Sequence, residues 1–315
     1  MNNLFIAGHG FDVAHGLNTR YCDFYHFILD LHNLTDDELY DFDIPLTTTG
    51  YCGDDEYDEN NLARMLVSLI SNVSLNCPWN DVETALGVLD YGDYLSDVLD
   101  FTPNDEDGDV NLYHAAGNMQ DYSGILREAL IYSVQYFLRK WIESIDTDNA
   151  NIIDGIRDLL INCSHILNFN YTSTIQDLYN RHNVCHIHGR ISCAAPLVFG
   201  HNNTLRNFEE YDHGLYFNSS NMLSQLHIQL RKDTNSLIQN NQTFFSNLNQ
   251  DHFLDNIYSL GFSYNEIDMP YIRTILLSTS SATNWHVFVH GNNFLTIKNI
   301  LIGNGFTGVI TPIVL

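Results

Sequence analysis

Leu4-Phe5-Ile6-Ala7-Gly8-His9-Gly10 decides the fold: a short apolar run stopping in a glycine-flanked turn predicts a buried strand that enters a tight loop. Tyr21 to Leu31 then carries aromatic and aliphatic residues at helical spacing and reads as the crossover helix of a βα unit. The alternation resumes after Asp154, with helix Ile156 to Asn162, strand His165 to Phe169, helix Thr172 to Arg181 and strand Val184 to Ile187. Next come a strand at Leu197 to Phe199, a long polar helical region from Asn221 to Leu248 and strand Asn256 to Leu260. Helix Asp268 to Leu277, strand His286 to Val289, helix Phe294 to Ile302 and a last strand near Val309 close the series. Such alternation predicts an α/β fold, a doubly wound parallel sheet whose ligands sit outside the carboxyl ends of its strands.

The middle of the chain interrupts this pattern. Asp, Glu, Tyr and Gly crowd Asp36 to Asn61, above all Asp54-Asp55-Glu56-Tyr57-Asp58-Glu59, which reads as a solvated loop without a strand. Leu62 to Val73, Trp79 to Leu89 and Gly124 to Ile145 show 3.6-residue apolar spacing, broken by the acidic loop Pro103 to Asp109. The division expected is an α/β core of residues 1–60 and 150–315 with a large helical insertion at 61–149, a cap or side domain.

Composition narrows the function. Of 315 residues, 44% are hydrophobic and 17% charged, the balance of a globular protein and not of a disordered acidic tail. Asp and Glu number 39 against 13 Lys and Arg, a net charge of −26 that repels phosphate backbones and anionic lipid, so neither nucleic acid nor membrane is an expected partner. No basic segment precedes the apolar run in Met1 to Ile6, and no stretch reaches the ~18 apolar residues of a membrane span, so a soluble cytoplasmic protein is expected. Cys22, Cys52, Cys77, Cys163, Cys185 and Cys193 are scattered without a C-x-x-C pair, as reduced thiols are. Cys185, His186, His188 and Cys193 lie close enough in sequence to share a metal, but lack the paired spacing of structural zinc ligands; no metal is expected.

Four polar segments each follow an apolar strand-like run: Gly8 to Asp12, Asn168 to Thr172, His186 to Gly189 and Gly261 to Asp268. In a parallel sheet these converge on one crevice. Gly8 and Gly10 permit close backbone approach to a phosphate, and Asp12 can accept ribose hydroxyls, although the loop is not G-x-G-x-x-G. Asn168 and Asn170, two apart, point their amides the same way in an extended segment, unless they or Thr172 cap the next helix. His188 before Gly189 is a candidate base, and Ser263, Glu266 and Asp268 offer a hydroxyl and carboxylates. The chain lacks a G-x-S-x-G elbow, a G-x-x-x-x-G-K-[ST] loop and H-E-x-x-H, which argues against serine hydrolases, P-loop enzymes and zinc proteases.

Phe5 to Phe24, Trp79 with Glu83, Ile166 to Tyr179, Cys185 to Gly189 and Ser259 to Tyr271 together resemble the AbiH family of phage abortive-infection proteins, departing at His9, where the family pattern has Asn. More remotely they are similar to sirtuins and sirtuin-like NAD hydrolases. That resemblance implies a Rossmann-like, sirtuin-like core that binds NAD as its substrate and hydrolyses the nicotinamide glycosidic bond. It matches Asn170 and His188, 18 residues apart, to the catalytic Asn and His, and leaves Thr172 where sirtuins have Asp. It further implies that Gly8, Gly10, Phe11 and Asp12 hold phosphate and ribose, and that Gly261, Ser263 and Asp268 border the adenosine half. The missing zinc ribbon implies cleavage by water instead of protein deacylation. A non-catalytic nucleotide sensor and a toxin-like protein that engages a partner through its acidic surface stay open, as do a homo-oligomer and a defence-system partner protein.

Overall fold

The first strand is buried along its whole length because its side chains alternate between two apolar layers: Leu4 and Ile6 pack into one, Phe5 and Ala7 into the other. The computed structural model describes all residues except 36–42, 44, 50–54, 75–78, 80, 101, 149, 194, 203–205, 213–218 and 315. In chain order the strands are β1 (Asn3–Ala7), β2 (Thr47–Thr49), β3 (Asp55–Tyr57), β4 (His165–Asn168), β5 (Cys185–His186), β6 (Asn256–Leu260), β7 (Asn284–Val289) and β8 (Val309–Val314). The helices are α1 (His9–Ala14), α2 (Tyr21–His32), α3 (Glu59–Val73), α4 (Val82–Leu86), α5 (Gly92–Asp100), α6 (Leu112–Glu143) and α7 (Ile156–Asn162), then α8 (Thr174–Tyr179), α9 (Ser220–Gln229), α10 (Thr234–Asn240), α11 (Gln242–Asn247), α12 (Met269–Leu276) and α13 (Phe294–Gly303). The chain divides into two units: Met1–Arg20, Ile142–Val198 and Asp233–Leu315 form one, Tyr21–Trp141 and Phe199–Lys232 the other.

The first unit is an α/β structure built on a six-stranded parallel sheet of order β5-β4-β1-β6-β7-β8. Counting only its own strands along the chain, that order is 3-2-1-4-5-6, so the direction of winding reverses between β1 and β6. Ala7 pairs with Asn168 on one side and Leu260 on the other, so these three carboxyl ends lie level. Helices cover both faces: Phe245, Met269, Ile272, Ile275, Ile297 and Leu301 bring α11, α12 and α13 onto the layer of Leu4 and Ile6. Phe11, Ile156, Leu160 and Ile175 bring α1, α7 and α8 onto the layer of Phe5 and Ala7. Toward β8 this second face becomes polar and half-buried. Asn284 donates to Asn256 at 3.4 Å and Asn256 to Asn3 at 3.0 Å, while Tyr258 and His286 stack at 4.8 Å.

Glycines join β1 to β6. The Gly8 N–H donates to the Leu260 carbonyl at 3.0 Å and the Gly10 N–H to the Gly261 carbonyl at 2.9 Å. A Cβ on Gly8 would lie 2.5 Å from the Phe262 Cα, and one on Gly261 2.2 Å from the Gly10 carbonyl carbon. Gly261 also has φ +68°, a conformation that a side chain resists. Beyond it, Tyr264 at φ +57° is held by its hydroxyl, which donates to Ser259 at 2.7 Å and accepts from the Trp285 ring N–H at 3.0 Å.

The second unit is mainly helical. Asp58 caps α3 by accepting from Asn60 N at 2.9 Å, and α3 buries Leu62, Met65, Leu66, Leu69 and Ile70. Phe24 stacks on Trp141 at 4.9 Å and meets Trp79 edge-on at 5.2 Å. Glu83 and Lys232 form a buried ion pair at 2.6 Å. Among the described residues no helix is long and apolar enough to cross a membrane.

Several elements differ from the sequence reading. Of the acidic stretch Asp36 to Asn61, residues 36–42, 44 and 50–54 lie outside the described ones, but β2 and β3 pair there as a short antiparallel ribbon, with Thr47 opposite Tyr57. Leu197 to Phe199 forms no strand, because Val198 spends its N–H on the His188 carbonyl and its carbonyl on the Tyr171 hydroxyl, both across a loop. The helix directly after β1 is the six-residue α1, whereas α2 belongs to the second unit. Among the described residues of 79–89 the helix is the five-residue α4, started by Asp81 accepting from Thr84 N. The polar region after Asn221 is three helices, not one, and its part up to Lys232 lies in the second unit.

The glycine contact yields opposite effects for one chemical change. Gly261→Ala forces a Cβ into backbone at a left-handed φ and is expected to cost about 4 kcal/mol or more. Gly117→Ala, in open space on an exposed turn of α6, is expected to stabilise by about 0.5–1 kcal/mol. Urea unfolding of both variants checks the pair, and a mild effect at Gly261 contradicts the backbone contact.

Candidate functional site

The loops after β5, β4, β1 and β6 are neighbours because their strands are, so the four polar segments do meet along one edge of the sheet. Asn170 reaches across from the β4 loop and donates its amide N–H to the Gly8 carbonyl at 3.0 Å. Its backbone N–H is capped by the Asn168 Oδ1 at 3.0 Å. The two amides therefore do not act as a parallel pair: the strand ends at Asn168, and the two-residue period stops with it. Next along, the helix cap falls on Ser173, with no side-chain bond from Asn170 or Thr172.

Thr172 faces the first loop. Its hydroxyl donates to Asp12 Oδ2 at 2.6 Å and accepts from the Thr174 hydroxyl at 3.0 Å. The Asp12 carboxyl is 1% exposed, and its Oδ1 has no hydrogen-bond partner among the described residues. Burial pushes its pKa up from 3.8 to about 6, against the lowering pull of the threonine hydroxyls. Thr172 and Ser173 also line a pocket of about 320 Å³ with Thr147, Glu143, Asp177 and Ser192 and the apolar Ile142, Ile145 and Ile191. None of its described lining residues is basic.

On the β5 side, His186 ends the edge strand and is half-buried. Burial lowers its pKa to about 4, so the ring is neutral near pH 7. Its Nδ1–H donates to the Asn170 carbonyl at 3.1 Å, which leaves Nε2 to accept from the Gln176 amide at 2.8 Å. His188 is 3% exposed, edge-on to Phe169 at 5.3 Å and near Tyr271 at 5.7 Å. Its Nε2 lies 3.7 Å from Asp268 Oδ1, an ion-pair distance once the imidazole is protonated.

The remaining expected residues divide by exposure. Phe11 is wholly buried against Phe5 and His15, and supplies core packing to α1. Gly8 and Gly10 turn toward the β6 loop, which takes their N–H groups and fills the space where a Cβ would stand. These two amides are therefore spent within the protein and not held out to a phosphate. Ser263 is exposed, thrown outward because Tyr264 turns in. Cys185 faces Asn241 at 3.5 Å with its thiol pushed up to about 12 by burial, and among the described residues no three His, Cys, Asp or Glu gather as a metal ion would need. Sequence reasoning missed the link of Asp12 to Thr172 and the His186–Gln176 bond. The Thr-x-Thr spacing of 172 and 174 was the available sign of the first; nothing pointed to the second.

The sheet and its crevice define an α/β protein of the open parallel-sheet class. The family model described as bacteriophage abortive infection AbiH matches residues 4–289, which takes in every strand end of the crevice. The chain belongs to the AbiH family, and its role lies in phage abortive infection. No curated protein and no solved structure matches it.

Asp12 gives a signed prediction. Between pH 3.8 and about 6 the folded protein keeps a proton on Asp12 that the unfolded chain has released, so stability falls as pH rises through that window. Asp12→Asn removes the loss. The stability of the variant relative to wild type is expected to climb by about 1.4 kcal/mol per pH unit there, read from urea unfolding; parallel profiles contradict it.

Proposed function

We propose that the chain is an abortive-infection effector, acting in the cytoplasm, that binds NAD at the carboxyl ends of β1, β4, β5 and β6 and hydrolyses its nicotinamide glycosidic bond. The observation that carries this reading is the pair of buried polar side chains, Asn170 and His188, at neighbouring strand ends above a sheet of order 3-2-1-4-5-6, the order of Rossmann-like nucleotide-binding folds. The pocket beside Thr172 favours the same ligand half. Its hydroxyls and carboxylates, without a cation among the described lining, suit ribose hydroxyls and the positive nicotinamide ring, its isoleucines offer that ring an apolar wall, and the diphosphate stays outside.

In the reaction the C1′–N bond breaks with its electrons passing to nicotinamide, a water oxygen bonds C1′, and the water's proton goes to His188. Asp268, at 3.7 Å, stabilises the imidazolium so formed. Asn170, tied to the β1 loop through the Gly8 carbonyl, orients the ribose or the water.

Purified full-length chain incubated with NAD, followed by chromatography, tests this. Wild type is expected to release nicotinamide, with a loss of roughly a hundredfold or more in His188→Ala and a clear loss in Asn170→Ala. Binding seen by calorimetry without release would make the protein a nucleotide sensor, and equal release by wild type and His188→Ala would remove His188 from the chemistry.

A further inference from the structure

Acidic residues stop abruptly at Asp268. With 39 in 315 residues an even spread would put about six in the 47 residues that follow, yet these contain none, and their only Lys or Arg are Arg273 and Lys298. The same stretch exposes large apolar side chains: Leu277 by 76%, Leu295 by 69%, Ile302 by 52% and Val314 by 81%. Helix α13 explains why. Its inner side packs Ile297 and Leu301 into the core, while Leu295, Asn299 and Ile302, at spacings of four and three, form an exposed outer stripe of two aliphatic side chains around one neutral amide. Arg273 donates to Asn304 at 2.9 Å and ties α12 to the end of α13.

We propose that this face is where a second copy of the chain docks, α13 against α13. The charge distribution selects the occupant. Two bodies of −26 repel wherever their acidic surfaces meet, and this acid-free stretch is where like can approach like. An isologous contact places the same stripe on both sides of the twofold axis. Nucleic acid and anionic lipid would be repelled by the rest of the molecule.

The edge strand decides how the copies meet. Val309 N–H donates inward to the Thr283 carbonyl, so in a parallel ladder Ile310, Pro312 and Val314 direct their backbone nitrogens outward. Pro312 carries no N–H, which blunts the edge against extension of the sheet into the second copy. Packing of helices through the α13 stripe remains.

Sedimentation equilibrium of the full-length chain is the test. Wild type is expected at twice the chain mass of 36.1 kDa at tens of micromolar. Leu295→Glu with Ile302→Glu is expected to weaken the dimer at least about a hundredfold. Asn299→Arg, which sets two cations face to face at an exposed position, should weaken it likewise, and Tyr113→Glu on α6 should not. A monomeric wild type, or a dimer untouched by both stripe variants while their circular dichroism stays native, overturns the proposal.

Discussion

Backbone touches backbone between the β1 and β6 loops, and the crevice depends on that contact. Only glycine at 8, 10 and 261 lets the two loops close to the separations seen, and the bonds from Gly8 N and Gly10 N hold them. From this seam the rest is positioned in turn. The Gly8 carbonyl, turned by its place in the seam, receives the Asn170 amide; α1, starting at His9, carries Asp12 under Thr172; and the Asn170 carbonyl fixes the neutral His186. A side chain at the seam would displace all of these together.

Desolvation acts on the titratable groups of the crevice and moves acid and base in opposite directions. His186 loses its proton to desolvation, Asp12 tends to keep its own for the same reason, and His188 has Asp268 within reach should it gain a charge. Opposite shifts on Asp12 and His186 make their contributions to stability oppose each other over the mildly acidic range. The pocket beside Thr172 is lined apart from these groups, by the hydroxyls of Thr147, Thr172, Ser173 and Ser192, the carboxylates of Glu143 and Asp177, and three isoleucines.

Much of the first unit was legible because its strands and helices carry their own signals. Helix Ile156–Asn162 and strand Asn256–Leu260 fall where the apolar periods placed them. The convergence of four strand ends followed from parallel topology alone. What sequence could not show was the partner of each group. Gly8 and Gly10 look the same whether they approach a phosphate or a second loop, and only the β6 register tells which. Phe11 sits beside Asp12 in sequence but turns to the apolar core, since consecutive helical residues point about 100° apart. The second unit includes Phe199–Lys232, distant in sequence from the rest of it, with Lys232 paired to Glu83, and no local pattern announces a long-range ion pair.

The central proposal is spatial: a ligand at the carboxyl ends of β1, β4, β5 and β6, with a ribose against Asn170 and His188. Diffraction from crystals of the full-length chain grown with ADP-ribose, the product half that retains the reacting sugar, tests it most directly. Density for that ribose within hydrogen-bond reach of both side chains is the result expected. Density at the amino ends of the strands, or none at the crevice while the ligand is bound elsewhere, would contradict it.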